Sequence, residues 1–145
     1  MAGRFNPNWD DVQPGFGALD KGDYAFIIGE VKPFSRAKQD GGISQGVGIP
    51  LRTEDGQKAY HQMYMTENTA GMVLGFLMCA YGFDPNDKSA VAEFKAQYGT
   101  KMGVDFDTME LGAAYTGLTG QRIRGTNEPR DFAGNLQNNF KWRPF

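Results

Sequence analysis

The chain has 145 residues, 40% of them hydrophobic, and a formal net charge of −2. This length suits one domain with a core of its own, and a pI near 5.3 argues against a uniformly basic nucleic-acid binder. The lone Cys79 leaves no disulfide framework and no cysteine metal site, the start Met1-Ala2-Gly3-Arg4-Phe5 lacks a secretory h-region, and no run approaches the roughly 18 apolar residues of a membrane span, so a cytoplasmic protein with no membrane partner is expected.

Residues 1–20 carry turn chemistry in Asn6-Pro7-Asn8 and Gln13-Pro14-Gly15 but no period, which predicts an extended arm pinned by Trp9 and Phe16. Residues 21–145 then read as one domain. From Asp23 a β-branched and aromatic run through Phe26, Ile27, Ile28 and Val31 predicts a first strand stopping near Pro33, followed by a polar loop from Ser35 to Gly42. Ile43 to Thr53 alternates Val47, Ile49 and Leu51 against Gly46 and Gly48, where small residues permit curvature or the close approach of a ligand. Asp55-Gly56 is a hairpin signal. The third strand, Gln57 to Thr66, sets Lys58, Tyr60, Gln62 and Tyr64 against Ala59, His61, Met63 and Met65.

A nearly all-apolar helix is expected from an Asn68 N-cap to Tyr81, closed by Gly82 with Phe83 folding back on it. A second, shorter helix covers Lys88 to Tyr98 with Val91, Phe94 and Tyr98 inward. Val104 to Ala114 mixes acidic, glycine and small apolar residues and reads as a short strand or cover. Leu118 to Gly125 predicts a strand with Arg122 and Arg124 on one face and Ile123 on the other; Thr126 to Gly134 is a polar loop. Asn135 to Trp142 is the last strand, with Leu136, Phe140 and Trp142 in one parity.

Three meander strands, a principal helix between strands three and four, and a final pair of strands is the order of a five-stranded OB-fold barrel, mainly β with inserted helices. That fold binds ligands on strands two and three, between the loop joining strands one and two and the loop joining four and five. Charge is unevenly spread in the matching way: Lys32, Arg36 and Lys38 form a basic stretch with no acidic residue, and Gln121 to the end holds five basic residues against two acidic. The candidate interface is therefore Lys32, Phe34, Arg36, Lys38, Lys58, Tyr60, Tyr64, Arg122, Arg124, Arg130, Phe132 and Trp142. Cations along a groove neutralise phosphates while aromatic faces stack on any base, which holds a single strand without sequence readout. Each residue also has a plainer explanation: Tyr60, Tyr64 and Trp142 as packing, Arg122 and Arg124 as a solvated face. Their joint placement carries the argument.

The order and spacing of Gly22-Asp23-Tyr24 after Pro14-Gly15, Glu30-Val31-Lys32 with its Ser35-Arg36-Ala37-Lys38 loop, Asp55-Gly56, Ala80-Tyr81-Gly82, Leu118-Thr119-Gly120 and Gly134-Asn135 span about Gln13 to Pro144. In these the chain resembles phage-type single-stranded DNA-binding proteins of replication and recombination. The resemblance implies an OB fold, single-stranded DNA and replication or recombination proteins as partners, and a place in the cytoplasm of an infected bacterium; no cofactor is expected, and a homo-oligomer is compatible with the sequence, which does not fix the oligomeric state. Proteins of this kind often end in an acidic tail, whereas this chain ends Phe140-Lys141-Trp142-Arg143-Pro144-Phe145, which puts tail-mediated recruitment in doubt.

A catalytic reading lacks a constellation. The single histidine, His61, has no cysteine or second histidine to share a metal and by parity lies near the core-facing Met63; Asp105, Asp107 and Glu110 read as a solvated turn rather than a metal site. Neither a phosphate-binding glycine-lysine loop nor a metalloprotease helix motif occurs. The expected function is non-catalytic binding and protection of single-stranded DNA, largely independent of sequence. The alternative is a phage structural protein that assembles through apolar surfaces.

Overall fold

Tyr24, Phe26 and Ile28 alternate with Asp23, Ala25 and Ile27, so the first strand has one apolar face to bury. In the computed structural model, which describes residues 18–132 and 134–145, this run is β1 (Gly22–Ile28). The expected pinning of the arm by Trp9 and Phe16 lies outside the described residues. The chain continues through β2 (Lys32–Ala37), β3 (Ile43–Arg52), β4 (Lys58–Tyr64), α1 (Ala70–Ala80), α2 (Lys88–Tyr98), β5 (Val104–Asp105), β6 (Glu110–Leu111) and α3 (Ala113–Thr116). It closes with β7 (Arg122–Asn127), β8 (Arg130–Phe132), β9 (Asn135–Gln137) and β10 (Phe140–Pro144).

The architecture is mainly β, with an antiparallel six-stranded sheet and a few helices. β3 pairs along one edge with β1 and then β2, and along the other with β4; β1 also pairs with β7, and β7 with β10. α1 follows β4 and lies against β10 and β7. β5–β6 and β8–β9 are small separate hairpins.

The single first strand expected from the sequence is two strands joined by a bulge, and Ser35 to Ala37 belong to β2 rather than to a loop. Ile28 pairs with Leu51 and Lys32 with Gly48, so the three residues 29–31 face only Ile49 and Pro50. The extra residue bends the strand and reverses its alternation: Phe26 and Ile28 point inward, whereas Lys32 and Arg36 point outward and Val31 is buried. The Gly29 N–H donates to the Pro50 carbonyl at 2.8 Å, so the bulge keeps a main-chain tie to β3.

The core gathers Phe26, Ile28, Val47, Ile49, Leu51, Met63, Phe76, Leu77, Met78, Leu118 and Ile123, all buried. Each fully buried side chain of this size contributes about 1.5–3 kcal/mol. The Glu67–Thr69 turn precedes α1, so Asn68 is not its cap. Instead the Thr66 N–H donates to Thr69 Oγ1 (2.9 Å) and the Thr69 hydroxyl donates to the Tyr64 carbonyl (2.6 Å). α1 ends as expected: Gly82 takes φ +83°, its N–H reaches the Cys79 carbonyl, and the Phe83 N–H reaches that of Met78 at 2.8 Å. α2 has the expected bounds, is capped by Asp87, which accepts from the Ser89 N–H (2.9 Å), and packs Phe94 and Tyr98 against Tyr81.

Three further boundaries move. Leu118 to Gln121 form a turn, with Leu118 buried, and β7 starts only at Arg122 and runs on to Asn127. The Thr126 to Gly134 stretch contains β8, which pairs with β9. The expected last strand is divided between β9 and β10, and Leu136 is 64% exposed rather than sharing a face with Phe140 and Trp142. Buried Asn127 holds this region: its Nδ2 donates to the Leu19 carbonyl (2.8 Å) and to Asn138 Oδ1 (3.0 Å), and its Oδ1 accepts from the Asn139 N–H (2.8 Å). Among the described residues no helix is long and apolar enough to cross a membrane.

Candidate nucleic-acid interface

Alternation fixes which side chains share the outward face. With Val47, Ile49 and Leu51 inward on β3, Gly46, Gly48, Pro50 and Arg52 face outward; across β4, Tyr64, Gln62, Tyr60 and Lys58 stand opposite them in that order. On the other side, Phe34 pairs with Gly46, Lys32 with Gly48 and Arg36 with Ser44. One face of three strands therefore holds Lys32, Phe34, Arg36, Lys58, Tyr60 and Tyr64, six of the residues expected from sequence.

The glycines act as seats. A Cβ on Gly48 would collide with the Tyr60 hydroxyl, and one on Gly46 would collide with the main-chain carbonyl of Met63 and come within 3.0 Å of Phe34 Cζ. The close approach expected over these glycines is thus made by the protein's own rings and backbone. Phe34 and Tyr64 meet edge to face over Gly46 at 5.5 Å, and the Arg36 guanidinium lies 5.3 Å from the Phe34 centroid. Tyr60 and Tyr64 nonetheless remain 55% and 47% exposed. Exposed aromatic surface on a strand face, held by neighbouring rings, is pre-organised for stacking.

Two shallow grooves flank Tyr64. One runs past Lys38, Ile43, Ser44 and Thr66; the other is walled by Tyr60, Gln62, Leu136 and Gln137. The second groove places β9 opposite the tyrosines. Arg130 pairs with Gln137 on the same hairpin and is exposed; Phe132 belongs to β8, and its side chain lies outside the described residues.

Arg122 and Arg124 are exposed on β7, away from this aromatic cluster. Arg122 pairs with Glu54 (3.2 Å), and both guanidiniums lie beside the Phe145 ring, at 5.2 and 5.3 Å. Trp142 is a correction. It points inward, over Gly125, and packs against Phe76 (5.0 Å), Phe140 (4.8 Å) and His61 (5.0 Å). Its parity on β10 is that of Phe140, so it completes the core instead of offering a platform to a strand outside.

His61 also points inward. Its ring stacks on Phe76 at 5.4 Å, its Nε2 is enclosed and meets no hydrogen-bond partner among the described residues, and burial pushes its pKa down to about 4. Asp105 Oδ1 accepts from the N–H groups of Asp107 (2.9 Å) and Thr108 (3.2 Å), which makes it a turn-closing carboxylate. Burial, aided by Asp84, raises the Cys79 thiol to about 11.

Sequence reasoning missed Arg52, Glu54 and Phe145. Arg52 was detectable: with Leu51 inward it must face outward, opposite Lys58 across the Asp55-Gly56 turn. The ring of Phe145 over two arginines depends on tertiary placement, and no local pattern announces it. No protein-family model matches the chain, and a search of characterised proteins also finds no match.

Proposed function

We propose that this protein binds single-stranded DNA non-catalytically on the outward face of β2, β3 and β4, as a barrel of OB type acting in phage replication or recombination. The observation that carries the reading is the set Phe34, Tyr60 and Tyr64, seated on Gly46 and Gly48 with Arg36 against Phe34. Aromatic platforms accept any base, and Lys32, Arg36 and Lys38 lie along them for the backbone. Support for the barrel comes from the order of pairing and from α1 following β4 and preceding β7. The His61–Trp142 contact adds to it by bridging β4 and β10, which no main-chain pairing joins among the described residues.

The acidic total charge is compatible with this because the local face is what a strand meets. Bound protein would cover exposed strands, block re-annealing and nucleases, and hand the strand on. The test is fluorescence anisotropy of labelled oligo-dT at two salt concentrations, with a duplex of equal length as competitor. Binding that weakens steeply with salt and that the duplex does not displace supports the proposal. Absence of binding at low salt removes it and favours the structural-assembly alternative.

A further inference from the structure

Arg122 pairs with Ile27, Ile27 with Arg52, and Arg52 with Lys58. One cross-strand row thus carries three outward cations from β7 to β4. The adjoining row adds Arg124 beside Ala25, and Arg143 pairs with Arg124 on the far side. Among the described residues Arg52 has no ion-pair partner, while Glu54 pairs with Arg122 at one end of the row and Asp23 with Arg143 beside it.

We infer that this row is a second phosphate-contact patch, with Arg52 at its centre, engaged by the continuation of the same single strand after it leaves Phe34, Tyr60 and Tyr64. The inference rests on the reading that those aromatics hold the strand. Tyr64 to Lys58 is six steps along β4, about 20 Å, and Lys58 to Arg122 is three strand spacings, about 14 Å. A path of about 34 Å takes about ten nucleotides at the stacked rise of 3.4 Å each, fewer if the strand is extended. That is within the range of about 4–16 nucleotides covered by one OB-sized surface. The ligand class is therefore a single strand long enough to reach both patches.

Glu54 is the competitor within this patch. Its carboxylate and the Arg122 guanidinium are 74% and 46% exposed, and an ion pair so open to solvent contributes little, so a phosphodiester displaces it readily. Arg52 is exposed among the described residues, beside the hairpin turn at Glu54 to Gly56.

The experiment compares oligo-dT of about 4 and about 15 nucleotides on the full chain and on R52A, R52Q, E54Q and Y64A. The expected result is a loss from R52A and R52Q that grows with oligonucleotide length, with a salt slope on the long oligonucleotide lowered by about 1. E54Q tightens the long oligonucleotide more than the short one, while Y64A loses the same factor at both lengths. Equal losses at both lengths for the Arg52 variants, no loss at either, or weaker binding by E54Q overturns the second patch and leaves the aromatic site standing. Failure of the unaltered protein to bind the long oligonucleotide overturns both.

Discussion

His61 on β4 and Trp142 on β10 meet edge to face with ring centroids 5.0 Å apart, bridging two strands that share no main-chain pairing among the described residues. Phe76 of α1 touches both rings, at 5.4 and 5.0 Å, so one aromatic cluster ties helix and strand ends together.

Acid should loosen this seam. The buried imidazole titrates at about 4 in the fold against about 6.5 when unfolded, so below 6.5 the unfolded chain binds the extra proton. The stabilisation is complete above about pH 6.5 and falls as pH drops towards 4, by about 3 kcal/mol in all. Urea midpoints at neutral pH and near pH 4.5 should show the fall in the unaltered protein and a smaller one in H61F. The same pH dependence in both would remove His61 as its source.

Gly48→Ala and Gly46→Ala should fail differently. At Gly48 the obstacle is the tip of the Tyr60 side chain, which can swing away, so G48A is expected to fold and to lose single-strand affinity by no more than Tyr60→Ala does, ~1–3 kcal/mol if Tyr60 stacks. At Gly46 the obstacle is the Met63 carbonyl, which cannot move without disturbing the β3–β4 pairing. G46A should therefore lower the melting temperature well below that of G48A, as a thermal scan of both would read directly.

Asn127→Ala removes the side chain that satisfies the Leu19 carbonyl, Asn138 Oδ1 and the Asn139 N–H. A buried polar group left unpaired costs about 1–3 kcal/mol, and the Leu19 carbonyl and the Asn139 N–H are stranded here, whereas Asn138 Oδ1 still accepts from the Leu19 N–H (2.8 Å). The expected destabilisation is about 3 kcal/mol or more by denaturant titration, with hydrogen exchange accelerating first around Leu19 and Asn138. A loss below about 1 kcal/mol would mean water replaces the amide at no net cost.

Cys79 should resist alkylation in the folded protein. The thiol is 1% exposed and its pKa is raised to about 11, so almost no thiolate is present near neutral pH. Labelling by a maleimide should follow the rate of unfolding, and prompt stoichiometric labelling without denaturant would contradict the burial.

Much of this arrangement was legible because it depends on neighbours in sequence. The alternation through Val47, Ile49 and Leu51, the Asp55-Gly56 turn, the Gly82 helix end and the bounds of α2 are local, and each follows from period or backbone preference. Trp142 was not legible, because strand parity alone leaves open which of two faces is the inner one; here Gly125 and Phe76 decide it. The β8–β9 hairpin escaped since Arg130 to Gln137 is too polar and too short to carry a period. The aromatic half of the proposed interface was legible through the face of β4, whereas Arg52 read as an ordinary hairpin residue.

The bulge at residues 29–31 sets the phase of everything after it on that strand. Were the alternation from Phe26 and Ile28 to run unbroken through these same residues, it would carry Lys32, Phe34 and Arg36 into the interior and turn Val31 and Pro33 to solvent. Which chemistry this surface shows is thus decided by a count, not by the identity of the residues that show it. A single-residue deletion between Gly29 and Val31 would leave two residues facing Ile49 and Pro50, so plain alternation would bring Lys32, Phe34 and Arg36 outward with no bulge to bend the strand.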